Sequence, residues 1–346
     1  VVGSHYLSAV MTPSEFRRIS ALILALSGLS GCQRYWLCDE QGPERTSQLP
    51  DRLSDTGLYL DLASDRMAPD VAAYRPQFAL WSDGADKRRW VSLPAESVID
   101  TSDMDNWRFP QGSKFWKEFS VAGKRVETRL LYKSGPTDDD WVALSYLWND
   151  EQDEATAAPW GVVDARGDHD VPAAGECMAC HGGRRGRVLG FSAIQLAETR
   201  APAGGGETPV ALDLQALIDR QQLSAPPSER LQVPGNSVER AALGYLHANC
   251  SHCHNQARPA SGGARCFDPR KDFDFTLSAN ALDSPQSTPV YRTAMGSAFE
   301  PGNPDGSKAI ELVSGRGLFK QMPPLATEHV DTEAVANLRA WVAGLR

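Results

Sequence analysis

The sequence predicts an α+β protein in which a β-rich, sandwich-like N-terminal domain is followed by mainly α-helical segments. Three observations carry this expectation. Seven of the nine tryptophans fall between Trp81 and Trp160, among short runs of aromatic and β-branched residues. After Trp160 the composition turns to Gly, Ala and Asp, and from Ser237 onward apolar residues recur at helical spacing. With 346 residues, 41% hydrophobic and 23% charged, the chain can bury a core for two or three domains, and its composition excludes wholesale disorder.

The elements follow in order. Arg17 and Arg18 precede a mostly apolar stretch, 19–29, and the small pair Ser30 and Gly31 leads to Cys32. That order of basic, apolar and small residues predicts an export signal, and the stretch is too short to span a bilayer. Leu29-Ser30-Gly31-Cys32 has the form of a lipoprotein processing box, which makes Cys32 the expected lipidation site. Residues before Met11 lack signal character, so translation is expected to begin there. From Cys32 to about residue 55 the chain is polar, contains proline and has no sustained period, which predicts a tether.

Strands are expected at 88–93, 115–121, 125–132 and 141–148, separated by Gly, Pro and Asp. In the third run Val126, Thr128, Leu130 and Tyr132 share one face of the alternation. The tryptophans read as an aromatic core. Helices are expected near 192–199 and 212–222, on either side of the break at Gly204-Gly205-Gly206. Another is expected from Ser237 to Cys250, with Ser237 and Arg240 forming a poor capping box. A closing helix over 332–345 places Val335, Leu338, Trp341 and Val342 on one stripe.

The chemistry is concentrated in two strings, Cys177-Met178-Ala179-Cys180-His181 and Cys250-Ser251-His252-Cys253-His254. Two thiols three positions apart reach the two vinyl groups of one porphyrin, and the following His supplies an imidazole to the iron. Each string therefore predicts a covalently attached haem c, with His181 and His254 as proximal ligands. A zinc cage needs its two Cys pairs roughly 15–20 residues apart and does not require a His after each. A thioredoxin-like dithiol explains neither the His nor the duplication. Phosphate-cradling glycine loops and Ser-His-Asp strings are not evident, and no catalytic residue is expected.

Met322, beside Pro323 and Pro324, is the expected sixth ligand opposite His254, because a thioether favours ferrous iron and suits transfer. For the first haem the candidates are Met295, His169, His247 and His329, or no protein ligand at all. His252 is expected to face solvent or the propionate side, since its position between the two cysteines points it away from the iron. Of the seven cysteines, Cys38 and Cys266 remain unassigned and are candidates for a disulfide.

Three stretches resemble a family of uncharacterised bacterial di-haem c-type cytochromes, many of them lipoproteins. They are Trp81-Ser82-Asp83-Gly84 with Lys87 and Arg89; Phe109-Pro110-Gln111-Gly112 through Lys117 and Phe119 to Glu127-Thr128-Arg129-Leu130 and Tyr146-Leu147-Trp148-Asn149; and 245–255 with Pro301-Gly302-Asn303-Pro304 and Met322-Pro323-Pro324. The likeness runs from Gly57 to the end, and the C-terminal part by itself is similar to class I cytochromes c. It departs from the family pattern at Arg187-Val188-Leu189-Gly190, which has Leu where the family has Met. The resemblance implies haem binding and electron transfer but no substrate.

The expected organisation is a lipoprotein-type signal segment at 1–31, a tether at 32–55 and a β-rich aromatic domain at 56–165. A first haem segment at 166–230 and a class I cytochrome c-like domain at 231–346 complete it. The expected function is electron transfer by two covalently bound haem c groups at the periplasmic face of a Gram-negative-type envelope, held to the membrane through Cys32. The partner is a redox protein, either a dehydrogenase or another cytochrome. A net charge of -9 argues against nucleic acid and suits a basic partner. The alternative is a haem enzyme, peroxidase-like or another oxidoreductase, with an open site on the first haem.

Overall fold

The computed structural model describes residues 46–197, 212–257, 273–317, 320–324 and 326–346. Cys32, Cys38 and Cys266, with the expectations attached to them, lie outside the described residues. The protein is α+β. A short ribbon, β1 (Tyr59–Asp61) with β2 (Arg66–Met67), precedes a six-stranded antiparallel meander. Its strands are β3 (Val71–Ala73), β4 (Asp86–Ser92), β5 (Lys114–Val121), β6 (Lys124–Lys133), β7 (Trp141–Trp148) and β8 (Ala155–Ala157). All four expected strands are among them.

The sequence reading of a sandwich is corrected to a single meander. Alternation along the strands makes both faces apolar. Trp90, Trp116, Leu130 and Leu144 point to one core, closed by Leu49, Leu53 and Leu58. Val91, Phe115, Leu131 and Ala143 point to the other, closed by Trp107, Phe109 and Phe191 and by helical residues Leu196 and Leu217. Strand alternation records that a face is covered, and it is silent on whether strands or helices do the covering. Edge-on contacts hold this second core together, with Phe115 and Phe191 ring centroids 5.3 Å apart and Tyr74 and Phe191 4.8 Å apart.

Among the described residues the α-helices are α1 (Cys177–His181), α2 (Ala193–Leu196), α3 (Leu214–Asp219), α4 (Ser237–Asn249), α5 (Pro289–Ala294), α6 (Lys308–Val313) and α7 (Thr332–Gly344). In α4 the cap lies one residue earlier than expected. Asn236 Oδ1 accepts from the amides of Val238 and Glu239, and Glu239 returns a carboxylate to the Asn236 amide at 3.0 Å. A third core joins Leu243 and Leu246 of α4 to Leu338, Trp341 and Val342 of α7, so the expected closing stripe is buried.

Two devices join the sheet to this helical core. Gly244 lets α4 accept the Phe78 ring, since a Cβ there would lie 2.0 Å from it. The segment Trp81–Gly84 straps the other side. The Trp81 amide donates to Asn249 Oδ1 at 2.7 Å, Trp81 Nε1 donates to the His329 carbonyl at 2.9 Å, and Asp83 accepts from the His329 amide at 2.9 Å.

Candidate functional site

A short 3₁₀ turn, Ala174–Glu176, delivers the chain into α1, a single helical turn that places Cys177 and Cys180 on one side. Both are free thiols, and both pack deep enough that burial raises their pKa, that of Cys177 to about 12. Such thiols are poorly suited to redox exchange, which needs an accessible thiolate. The His181 imidazole is oriented by its own chain: Nδ1 donates to the Arg187 carbonyl at 2.5 Å, leaving the Nε2 lone pair free. Burial holds His181 down to about 4, against the pull of that carbonyl, and the charges of Lys117 and Arg129 act in the same direction as burial. The ring is therefore neutral at physiological pH, the form that can coordinate metal.

Arg187 closes this loop. Its backbone takes a left-handed φ of 57°, and its buried guanidinium donates to the Gly182 carbonyl and to Asp139.

The second string continues the end of α4 by one turn, with the Cys253 amide donating to the Cys250 carbonyl at 3.1 Å and the His254 amide to the same oxygen at 2.9 Å. The His254 ring meets Phe275 edge-on at 5.2 Å and lies 6.4 Å from Phe273. Met322 is half-buried against the same core as Cys250 and Phe273, its amide donating to the Leu312 carbonyl at 2.9 Å. The structure thus brings Met322 and the second string to one apolar core.

The two strings are also brought to each other. Asn255 Nδ2 donates to the Gly183 carbonyl at 3.1 Å across 72 residues of sequence, and Arg184 donates to Ser251 Oγ at 3.0 Å. Approach is so close that a Cβ on Gly183 would sit 1.8 Å from the His252 carbonyl oxygen. Solvent exposure of His252 is corrected: it is only 6% exposed, sealed under this contact. Burial takes its pKa to about 3, with the charges of His181 and Arg184 adding to the shift.

The four candidates for the first site separate. Met295 packs with the helical core that holds Cys250. The His247 Nδ1 accepts the Leu277 amide at 3.0 Å, which puts its proton on Nε2 and removes that lone pair. His329 is exposed on the surface, 3.5 Å from Asp168. His169 lies on the sheet face, its Nε2 2.8 Å from Glu127 Oε1 and its ring 5.3 Å from Phe119.

Sequence reasoning assigned no role to a row of cations on the sheet face that turns toward α1. Arg89, Lys117 and Arg129 are directly opposed on β4, β5 and β6, with Lys87 two residues before Arg89 on the same face. Their signal was present: each occupies an inward position of a strand whose neighbouring inward positions are Val91, Phe115 and Leu131. Among the described residues no three His, Cys, Asp or Glu side chains converge as a metal cage. In comparison with known proteins, no family, no curated protein and no solved structure matches this chain.

Proposed function

We propose that the chain is a di-haem c-type cytochrome that transfers electrons at the cell envelope. Cys177 and Cys180 would hold one haem c and Cys250 and Cys253 the other, with His181 and His254 as proximal ligands and Met322 opposite His254. When bound, each haem supplies an iron that cycles between ferric and ferrous states. The residues fit such a group: the imidazole of His181 is neutral and aimed through its Nδ1 hydrogen bond, and none of the four thiols is in a disulfide.

The observation that carries this reading is the contact between the two CxxCH turns through Gly183, Arg184 and Asn255. Electron exchange between two carriers in one chain is faster the closer they lie, and here the backbones of the two attachment turns touch. His254 and Met322 would mark the higher-potential relay, His181 the end that meets the partner. Lipid on Cys32 would hold the body at the periplasmic face, and the partner would be a dehydrogenase or another cytochrome. The test is haem staining on a denaturing gel and a reduced-minus-oxidised spectrum of protein made in a maturation-competent host. Two haems per chain that survive denaturation are expected, and colourless protein overturns the proposal.

A second reading, a haem enzyme of peroxidase-like or other oxidoreductase type, draws on the dispersal of three of the four candidate ligands, the fourth, His169, being engaged with Glu127. Met295 belongs to the helical core, His247 has its Nε2 lone pair taken up by a proton, and His329 is at the surface. A sixth position left open at the first haem would admit a small ligand. A high-spin ferric component that responds to cyanide supports this reading, and a wholly low-spin spectrum indifferent to cyanide refutes it.

A further inference from the structure

Like charges directly opposed across a sheet repel one another, and a buried cation without a partner is strongly destabilising. Yet β4, β5 and β6 set Arg89 against Lys117 and Lys117 against Arg129, on the face that looks toward Cys177, Cys180 and His181. One carboxylate, Glu127, stands among them, and it is already shared between Arg129 and His169. Arg89 is only 8% exposed, and its guanidinium makes no hydrogen bond or ion pair among the described residues; the same holds for the half-buried Lys117 ammonium. Lys117 lies over the Phe119 ring at 4.7 Å, a partial offset only, whereas Arg129, over the same ring at 4.3 Å, is also paired with Glu127. Lys87 is the outlying member, donating to the Leu80 carbonyl at 2.7 Å.

We propose that Arg89, Lys117 and Arg129, with Lys87 at the margin, form a binding site for anionic oxygens beside the first CxxCH turn. Two sources of that chemistry exist: the carboxylates of a porphyrin held by Cys177 and Cys180, or a small free oxyanion. Only the first rests on the haem reading above. In either case the anion neutralises Arg89 and Lys117, for which the described residues supply no paired carboxylate, and adds to the single carboxylate at Arg129. The direction of the lysine shifts is consistent: burial and the neighbouring arginines lower both, Lys87 to about 8.

The experiment compares the full-length protein with its Arg89→Gln, Lys117→Met and Lys117→Arg variants. Haem per chain is counted first. Each protein is then titrated calorimetrically with sodium sulfate against sodium chloride at constant ionic strength, and both midpoint potentials are measured. Saturable sulfate binding that weakens at least tenfold in Arg89→Gln and Lys117→Met, but is retained in Lys117→Arg, identifies a free oxyanion as occupant. If sulfate does not bind, the porphyrin carboxylates are the expected occupant. In that case one of the two potentials falls in Arg89→Gln and Lys117→Met, because removing positive charge beside the iron favours the ferric state, while the other holds. Absence of sulfate binding with both potentials unmoved overturns the site. Colourless protein that binds sulfate keeps the site and overturns the haem reading; colourless protein that binds none overturns both. Removing one of three opposed cations relieves repulsion, so Lys117→Met is expected to fold, and Arg89→Gln carries the test independently.

Discussion

Gly183→Ala is the sharpest perturbation of the arrangement on which the proposed function rests. The added methyl would lie 1.8 Å from the His252 carbonyl oxygen, where ordinary contact begins at 3.4 Å, so the two backbones must part by about 1.6 Å. Overpacking of this kind costs about 1–3 kcal/mol. Parting also breaks the Asn255 to Gly183 hydrogen bond and the Arg184 to Ser251 bond, worth about 1 and about 1.5–3 kcal/mol. Some of this overlaps, so a loss of about 3–5 kcal/mol is expected, together with slower electron exchange between the two CxxCH sites. Urea unfolding measures the first quantity and stopped-flow reduction the second. The control is Gly344→Ala at the end of α7, where a Cβ meets nothing within 4 Å. That change is expected to be neutral or to stabilise by a few tenths of a kcal/mol. If Gly183→Ala unfolds at the control's urea concentration, the contact between the two turns is not the one described.

Gly244→Ala drives a methyl into the Phe78 ring, 2.0 Å away, and is expected to destabilise by about 1–3 kcal/mol; the Gly244→Ala/Phe78→Leu double variant should recover part of that in the same urea assay. Asp83→Asn keeps the left-handed turn that Asp83 occupies at φ 50° but removes the charge that holds the amides of Glu328 and His329. Amide hydrogen exchange at those two residues should accelerate about 5–30-fold, equivalent to about 1–2 kcal/mol, and unchanged exchange would dismiss the strap. Acid should destabilise the fold early. Burial depresses His247 and His252 to about 3, with Arg184 adding to both, while the unfolded chain protonates near the ordinary 6.5. Because the unfolded state binds the protons, stability is full above pH 6.5 and falls as pH drops toward 3, by about 2–3 kcal/mol in total at pH 5.5. His252→Asn should remove the share of one such histidine from that slope in urea midpoints measured against pH.

Much of this protein was legible in one dimension because the relevant physics is local. Period-two alternation located β4 to β7, period-3.6 stripes located α4 and α7, and the CxxCH spacing defined two sites within five residues each. Capping was nearly legible, displaced by one residue because Asn236 and Glu239 satisfy the amides that Ser237 and Arg240 were expected to satisfy. Alternation could not tell a sandwich from a meander covered by helices, since burial of a side chain is blind to what buries it.

What only the tertiary structure decided are relations between distant residues. The sequence by itself picked out the side chains proposed to carry the chemistry and the local turns that present them. Folding decided that Gly183 meets His252, that Met322 joins the core of Cys250 while Met295 does too, and that His252 is sealed from water. It also turned Arg89, Lys117 and Arg129, unremarkable on three separate strands, into one row of charge. Strand register and helix docking are set by the summed packing of many side chains, and no single segment contains that sum.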